Sequence, residues 1–417
     1  MSTNHVLPFE LVSHIILLAS EDSASLLTLA LVSRHFHHEA IRHLYAVSPP
    51  VRLGISTASS PAMRFIQVVK RSMQHAAMVR HFIIAIVSYD EKIIDIVRAL
   101  ERMVNLETLE VRHIYIEAAH GLMDLTPTLF DNPKYKFRLK SLLWLSNRQQ
   151  IALLRLGELI ALHRESLEVL RVNFYSDARD MTHDINIRIM TAVQPLTSDD
   201  ANIASSSVST TRSIWPLPRL HTLVGTQETL DIFFPLAQQQ ISKLKIIAPS
   251  GSQFYHPKGS PDPKQTTYRF IECLKHNPIR VFHIDFFRNG NIHTKLQDIT
   301  FHLPLVECLR LNQPNVQSIA AALQSMKKLR VLLMTVREHT TISDAIIHSI
   351  FSSCPLLVQI EVGFAQDSDG NFLYTRWWMS APFAKTTGQE EKDDTRPTLR
   401  RAGNFVGPSQ YFLQSFS

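Results

Sequence analysis

A phrase of the form apolar-x-x-apolar-x-apolar recurs along most of this chain, and it limits the possible folds more than any other feature. It appears as Val79, Phe82, Ile84; Leu106, Leu109, Val111; Leu139, Leu142, Trp144; and Leu167, Leu170, Val172. It continues more loosely at Leu220 and Leu223 and at Leu244 and Ile247. It then returns as Ile279, Phe282, Ile284; Val306, Leu309, Leu311; Leu329, Leu332, Met334; and Leu357, Ile360, Val362. Successive starts lie 23 to 35 residues apart, with one gap of 53. The last two apolar positions alternate as a strand requires, and a strand this short cannot bury its apolar side alone, so the copies must stack on one another.

Several segments between the copies have helical periodicity. Residues 91 to 103 place Ile93, Ile94, Val97 and Leu100 on one helical face, and 316 to 326 and 344 to 354 behave likewise. The predicted fold class is therefore an α/β solenoid of irregular leucine-rich repeats over 63 to 364, with short parallel strands and return helices. The asparagine that closes a standard leucine-rich turn is mostly missing, with only Asn173 and Asn312 near its place. The same alternation of strand and helix also suits a doubly wound sheet.

Residues 197 to 213, nearly all small and polar, cannot nucleate a core, and 249 to 266 carry prolines, glycines and two aromatics. Both are expected as long loops inserted in the repeat domain, where recognition often resides. Residues 48 to 62 read as a Ser/Pro-rich linker with one short strand at Val51 to Leu53, and 365 to 417 as a partly disordered tail without a capping repeat.

The first 47 residues are of another kind. Pro8 suits a helix start, Glu10 the positive end of its dipole, and Leu11, Ile15 and Leu18 share one face. Asp22 or Ser23 can cap a second helix through Leu26, Leu27 and Leu31, and Ser33 a third through Phe36, Ala40 and Leu44. Three such helices are too few to be stable alone, so their stripes must meet the rest of the chain, a partner, or both. Leu7-Pro8-x-Glu10-Leu11, then Ile15, then Leu31-Val32-Ser33-Arg34, Phe36 and finally Leu44-Tyr45 resembles an F-box, most of all that of the large fungal families. Phe36 stands where that family usually has tryptophan. The resemblance implies a small three-helix F-box over 1 to 47, followed by the degenerate leucine-rich domain that commonly accompanies one. It further implies docking on the Skp-type linker protein of a cullin-RING (SCF) ubiquitin ligase through Leu7, Pro8, Leu11, Ile15, Leu31, Val32 and Phe36, while the repeats hold an unknown protein substrate.

The remaining chemistry is sparse. No Gly-x-Gly, P-loop or Gly-x-Ser-x-Gly pattern occurs, so no nucleotide cofactor and no enzymatic activity are expected. A calcium loop around Asp367, Asp369 and Gly370 fails, because its first and twelfth ligand positions fall on Ala365 and Arg376. His35, His38 and Glu39 are read as a solvated helix face, not metal ligands, and His113, His163 and His283 as ordinary repeat histidines. Cys273, Cys308 and Cys354 lack paired spacing and read as reduced core thiols. With no signal peptide, no membrane span and no Asn-x-Ser/Thr acceptor, a cytoplasmic or nuclear location is expected.

The net charge of +6 raises the question of polyanions. Lys134, Lys136, Arg138 and Lys140 alternate with Tyr135, Phe137 and Leu139, so an extended backbone puts all four cations on one face. A solvated strand face is the plainer reading, an acidic partner or polyanion the sharper one, and nucleic acid is not expected because no binding signature accompanies the cluster. A scaffold whose F-box-like helices only cap the repeats is the other alternative, and it requires Leu11 and Ile15 to face inward.

Overall fold

A computed structural model describes residues 7–20, 22–53, 59–86, 92–113, 135–147, 150–175, 217–226, 230, 233–237, 240–247, 274–285, 292–312, 314, 316–336, 342–365, 372–379 and 399–406. The chain forms two compact units, Met1–Arg219 and Leu220–Ser417. The long loops predicted at 197 to 213 and 249 to 266, Cys273, and the Asp367–Gly370 segment lie outside the described residues.

The first unit begins with helices α1 (Phe9–Ala19), α2 (Ser23–Ala30) and α3 (Arg34–Ala46). There follow β1 (Val51–Leu53), α4 (Pro61–Arg71), α5 (Met73–Met78), β2 (His81–Ile86), α6 (Ile93–Arg102), β3 (Thr108–His113), β4 (Ser141–Asn147), α7 (Gln150–His163) and β5 (Val169–Tyr175). Local signals set the helix starts. Ser60 accepts from the Met63 N–H with Pro61 in the first turn of α4, and Ser72 stops that helix and caps α5 through the His75 N–H. Strands β1 to β5 pair in chain order and all in parallel.

The second unit holds β6 (Thr222–Gly225), a 3-10 turn (Phe234–Ala237), β7 (Lys243–Ile246), β8 (Val281–Asp285), α8 (Ile292–Phe301), β9 (Cys308–Asn312), α9 (Val316–Leu323), β10 (Val331–Val336), α10 (Asp344–Ser353) and β11 (Gln359–Ala365). These strands too are parallel neighbours in chain order. A doubly wound sheet reverses its strand order at a switch point. Neither unit does, so each is a stack of successive strand and helix repeats.

Register shows why the repeated phrase works. Phe82, Leu109, Leu142 and Leu170 are cross-strand partners, as are Ile84, Val111, Trp144 and Val172, and all are buried. In the second unit Leu223, Leu244, Phe282, Leu309, Leu332 and Ile360 form the corresponding ladder. Each fully buried side chain of this size contributes about 1.5–3 kcal/mol.

The backbone also joins the repeats at the point where each strand begins. The carbonyl of Arg80 accepts from both Glu107 N and Thr108 N at 2.8 and 2.9 Å. Glu107 serves Lys140 and Ser141 in the same way, and Lys140 serves Glu168 and Val169. In the second unit His221, Ser242, Arg280, Glu307 and Arg330 repeat this two-donor carbonyl. Strand entry is thus satisfied by main chain, which any residue supplies, so the sequence can drift.

Four expectations need correction. Leu244 pairs with Leu223 and Phe282, so it fills the middle slot of its repeat, and the first slot belongs to the buried Ile241. A slip of three residues lands on another apolar pair, which hid the better phrase Ile241, Leu244, Ile246. On α6 the buried residues are Ile93, Ile96, Ala99 and Leu100, whereas Ile94 is exposed. In the segment 48 to 62 the expected short strand is present as β1, paired with β2 and burying Val51 and Leu53, and what changes is the end of the linker, because α4 begins at Pro61. Finally, the tail 365 to 417 contains β12 (Phe372–Met379), antiparallel to β11, and β13 (Leu399–Val406), antiparallel to β12. Trp377 and Tyr374 are buried there, an apolar gain strong enough to continue the sheet without the repeated phrase.

Candidate protein-docking surfaces

The helical module has a small core of its own: Val12 and Ile16 from α1, Leu26 and Ala30 from α2, and Phe36 and Ala40 from α3, with Ala19, Leu29 and Leu44 packed against it. Its geometry follows from three caps. Pro8 precedes α1 as N-cap. Asp22 accepts from the Ala24 and Ser25 N–H groups at 3.0 and 3.1 Å, and the Ser25 hydroxyl, ahead of these amides, holds its carboxyl below the usual carboxylate range. Ser33 Oγ accepts from Phe36 N at the start of α3.

The tight turn into that third cap decides which side chains remain outside. Leu31 N and Val32 N donate back to Thr28 O and Leu29 O, and this turns both side chains to solvent, Leu31 at 86% exposure. On α1 the residues Leu11, Ile15 and Leu18 share a face beside the buried Val12 and Ile16 stripe, and all three are exposed, Leu11 at 49%. Leu7, Phe9, Leu17 and Leu27 are exposed as well. Of the residues predicted to dock, Leu7, Pro8, Leu11, Ile15, Leu31 and Val32 are therefore accessible, and Phe36 is not. Phe36 fills the module's core, so any part it has in docking is to hold α3 in place.

The module is fastened to the repeats through α3. The Tyr45 ring stacks on Phe65 at 5.6 Å and lies 4.6 Å from the His75 ring, and burial pushes its hydroxyl pKa up. Ser48 N donates to His81 O and Ser48 Oγ accepts from Ile83 N, both at 2.9 Å. Glu39 lies within ion-pair distance of Arg42 and His43, and no group of three metal-ligating side chains occurs among the described residues.

The predicted cationic row keeps its alternation. Lys136, Arg138 and Lys140 are exposed while Tyr135, Phe137 and Leu139 are buried; Lys134 lies outside the described residues. Two of the three cations are engaged locally. Lys140 Nζ is 3.2 Å from Glu107, which also binds Arg80 at 3.0 Å, and Arg138 donates to the Leu162 carbonyl at 3.3 Å. Behind the row Tyr135, Phe137 and His163 stack, and burial, with the Arg138 charge, brings His163 down to about 4.

A second surface lies outside the repeated phrase. In three successive repeats of the second unit, the turn from helix to strand is closed by Val306 N to Leu303 O, Leu329 N to Met326 O and Leu357 N to Cys354 O, all six residues being buried. Each closure turns the two residues between outward: Pro304 and Leu305, Lys327 and Lys328, Pro355 and Leu356. The repeat phrase marks only the buried positions, so this edge carries no sequence signal.

Cys308 and Cys354 are buried thiols outside any disulfide, and Cys354, lying against the Leu323 carbonyl, is raised to about 11 by burial. No helix among the described residues is long and apolar enough to cross a membrane.

No protein-family profile matches the chain, and no curated protein matches its sequence. Among solved structures it is similar to the leucine-rich repeat-containing protein LegL7 from Legionella pneumophila, at 12% identity over 78% of this chain and 92% of that one, with a TM-score of 0.39. At that score the likeness adds nothing to what strand register already shows of this chain.

Proposed function

We propose that this chain is a substrate-recognition adaptor of an SCF-type cullin-RING ubiquitin ligase, its N-terminal helices docking on the Skp-type linker and its repeats binding a protein substrate. The observation that supports this most is the division of apolar residues in the helical module. Val12, Ile16, Leu26, Ala30, Phe36 and Ala40 already complete its core, yet Leu7, Leu11, Ile15, Leu31 and Val32 remain exposed. Apolar residues left exposed beside a completed core suit an interaction site, and the one-turn spacing of Leu11 and Ile15 on α1 suits a helix laid in an apolar groove. The rival in which the module merely caps its own repeats needs Leu11 and Ile15 inward, and both face solvent.

In this reading the chain contributes proximity. It raises the effective concentration of substrate lysines beside an activated thioester held elsewhere in the assembly. The cationic row at Lys136 to Lys140 is secondary, since Lys140 is already paired with Glu107.

The test is calorimetric titration of the full chain with a purified Skp-type linker protein, wild type against the Leu11→Ala, Leu31→Ala, Val32→Ala triple variant. The expected result is binding by the wild type, weakened at least tenfold in the variant, with the thermal midpoint retained. No binding by the wild type, or equal binding by both, would overturn the adaptor reading.

A further inference from the structure

The helix-to-strand edge of the second unit has the makings of a distinct recognition surface. The carbonyls of Glu307 and Arg330 each take two N–H groups from the next repeat, which fixes the turns of three repeats in line. Neighbouring strands lie about 4.8 Å apart, so Lys328 sits between Leu305 and Leu356 within a span of roughly 10 Å. Leu305, Leu356 and Val358 are exposed, and Phe301, at the end of α8, is exposed to 71%. Lys327, Lys328 and Arg330 are exposed among them.

Charge distinguishes this edge from its counterpart in the first unit. There Glu107 is flanked by Arg80 and Lys140 in ion pairs, and Asn105 Nδ2 donates to the Ala77 carbonyl. Here the acid at the equivalent place, Glu307, lies 3.9 Å from Arg280 on its other side. Lys327, Lys328 and Arg330 make no ion pair with a carboxylate among the described residues. The result is three cations bordered by four exposed apolar side chains, and the first unit has no such arrangement among its described residues.

We propose that this edge binds an extended acidic segment of a partner protein, in which two or more Asp or Glu residues are flanked by bulky apolar ones. The carboxylates meet Lys327, Lys328 and Arg330, and the apolar residues cover Phe301, Leu305, Leu356 and Val358. Charge complementarity sets orientation and encounter rate, while the apolar contacts supply affinity that salt does not screen. The inference concerns the second unit alone and stands whether or not the N-terminal helices dock on a linker.

Random 12-residue peptides displayed on phage, selected on the immobilised full chain, test it. The expected sequences carry net negative charge and at least two of Leu, Ile, Phe or Trp. Synthetic versions should bind at least tenfold more weakly to a Lys327→Glu, Lys328→Glu, Arg330→Glu variant, and also to a Phe301→Ser, Leu356→Ser variant, both folding normally by thermal melting. No enrichment, neutral or basic sequences, or binding that survives either variant would overturn the proposal. Loss in the charge variant alone, with competition by heparin, would also overturn it, because that is simple polyanion binding. Linker binding by either variant should equal that of the wild type, which separates this result from the adaptor test.

Discussion

Glu361 and Arg376 face each other across β11 and β12, Arg376 Nε donating to Glu361 Oε1 at 2.9 Å, with the carboxylate wholly buried. Gln359 Nε2 donates to the same oxygen at 2.6 Å. The pair sits where parallel repeats give way to an antiparallel end, and it fixes the register of the first strand that lacks the repeated phrase. Arg376→Met leaves a buried carboxylate without its cation, so a loss of about 3–5 kcal/mol is expected in urea unfolding. Adding Glu361→Leu to that variant should recover most of the loss. If the single variant unfolds at the wild-type midpoint, the pair does not hold this end of the sheet.

Gly363 lies opposite Tyr374 in the same pairing, and a Cβ there would come within 2.6 Å of the tyrosine ring. Tyr374 is buried with Cys308, Val331 and Leu333, so the ring has little room to withdraw. Gly363→Ala should therefore cost about 1–3 kcal/mol through overpacking. Shortening the ring in a Gly363→Ala, Tyr374→Leu double variant should relieve part of that cost, and a double-mutant cycle on thermal midpoints measures it.

Two titrations should appear in separate pH windows. Hydrogen bonding from His81, then from Arg112, brings the Glu110 carboxyl from 4.5 down to about 2. A carboxyl that ionises more easily in the folded chain stabilises the fold where it is charged. Its contribution is complete above pH 4.5 and lost as pH falls towards 2. His163 acts in the same direction in a higher window, since burial lowers its pKa from 6.5 to about 4. The unfolded chain takes up that proton first, so stability declines as pH falls from 6.5 to 4 and then levels. Denaturation midpoints measured from pH 7.5 to 3 should show the upper decline vanish in His163→Gln, and the lower one diminish in Glu110→Gln. A His163→Gln profile parallel to wild type would contradict this assignment.

Docking and folding should separate cleanly within the helical module. Leu31 is almost fully exposed, so Leu31→Ala should change stability by no more than about 0.5 kcal/mol. Phe36 is in the core, and Phe36→Ala should cost roughly 3–5 kcal/mol and release α3. Circular dichroism melts of both variants check this, and a large loss with Leu31→Ala would mean that its side chain packs internally.

Much of the architecture was legible without coordinates. Repeat positions such as Phe82, Leu109, Leu142 and Leu332 are apolar because a stack of short strands has one continuous interior, and that demand is written into every copy. The caps at Asp22 and Ser33 were equally readable, since a helix start depends on a few adjacent residues. Where the pattern is degenerate, it does not single out one register. Ile241 escapes the pattern because Leu244 and Ile247 offer a competing pair, and β12 and β13 escape it because antiparallel addition obeys no repeat.

The sequence alone thus determined a chain of stacked strand and helix repeats with a separate three-helix start, because periodic burial and capping are local properties of the chain. Only tertiary structure decided which apolar residues were left over. Leu31 and Phe36 look alike in sequence, and packing against Val12 and Ile16 buries one and leaves the other in water. Lys140 and Arg330 likewise hold the same place in their repeats, each bonded through its backbone to a glutamate of the preceding one, yet the side chains pair only Lys140 with Glu107, while Glu307 lies against Arg280. Exposure and pairing depend on residues distant in sequence, so they follow from the fold and not from the motif.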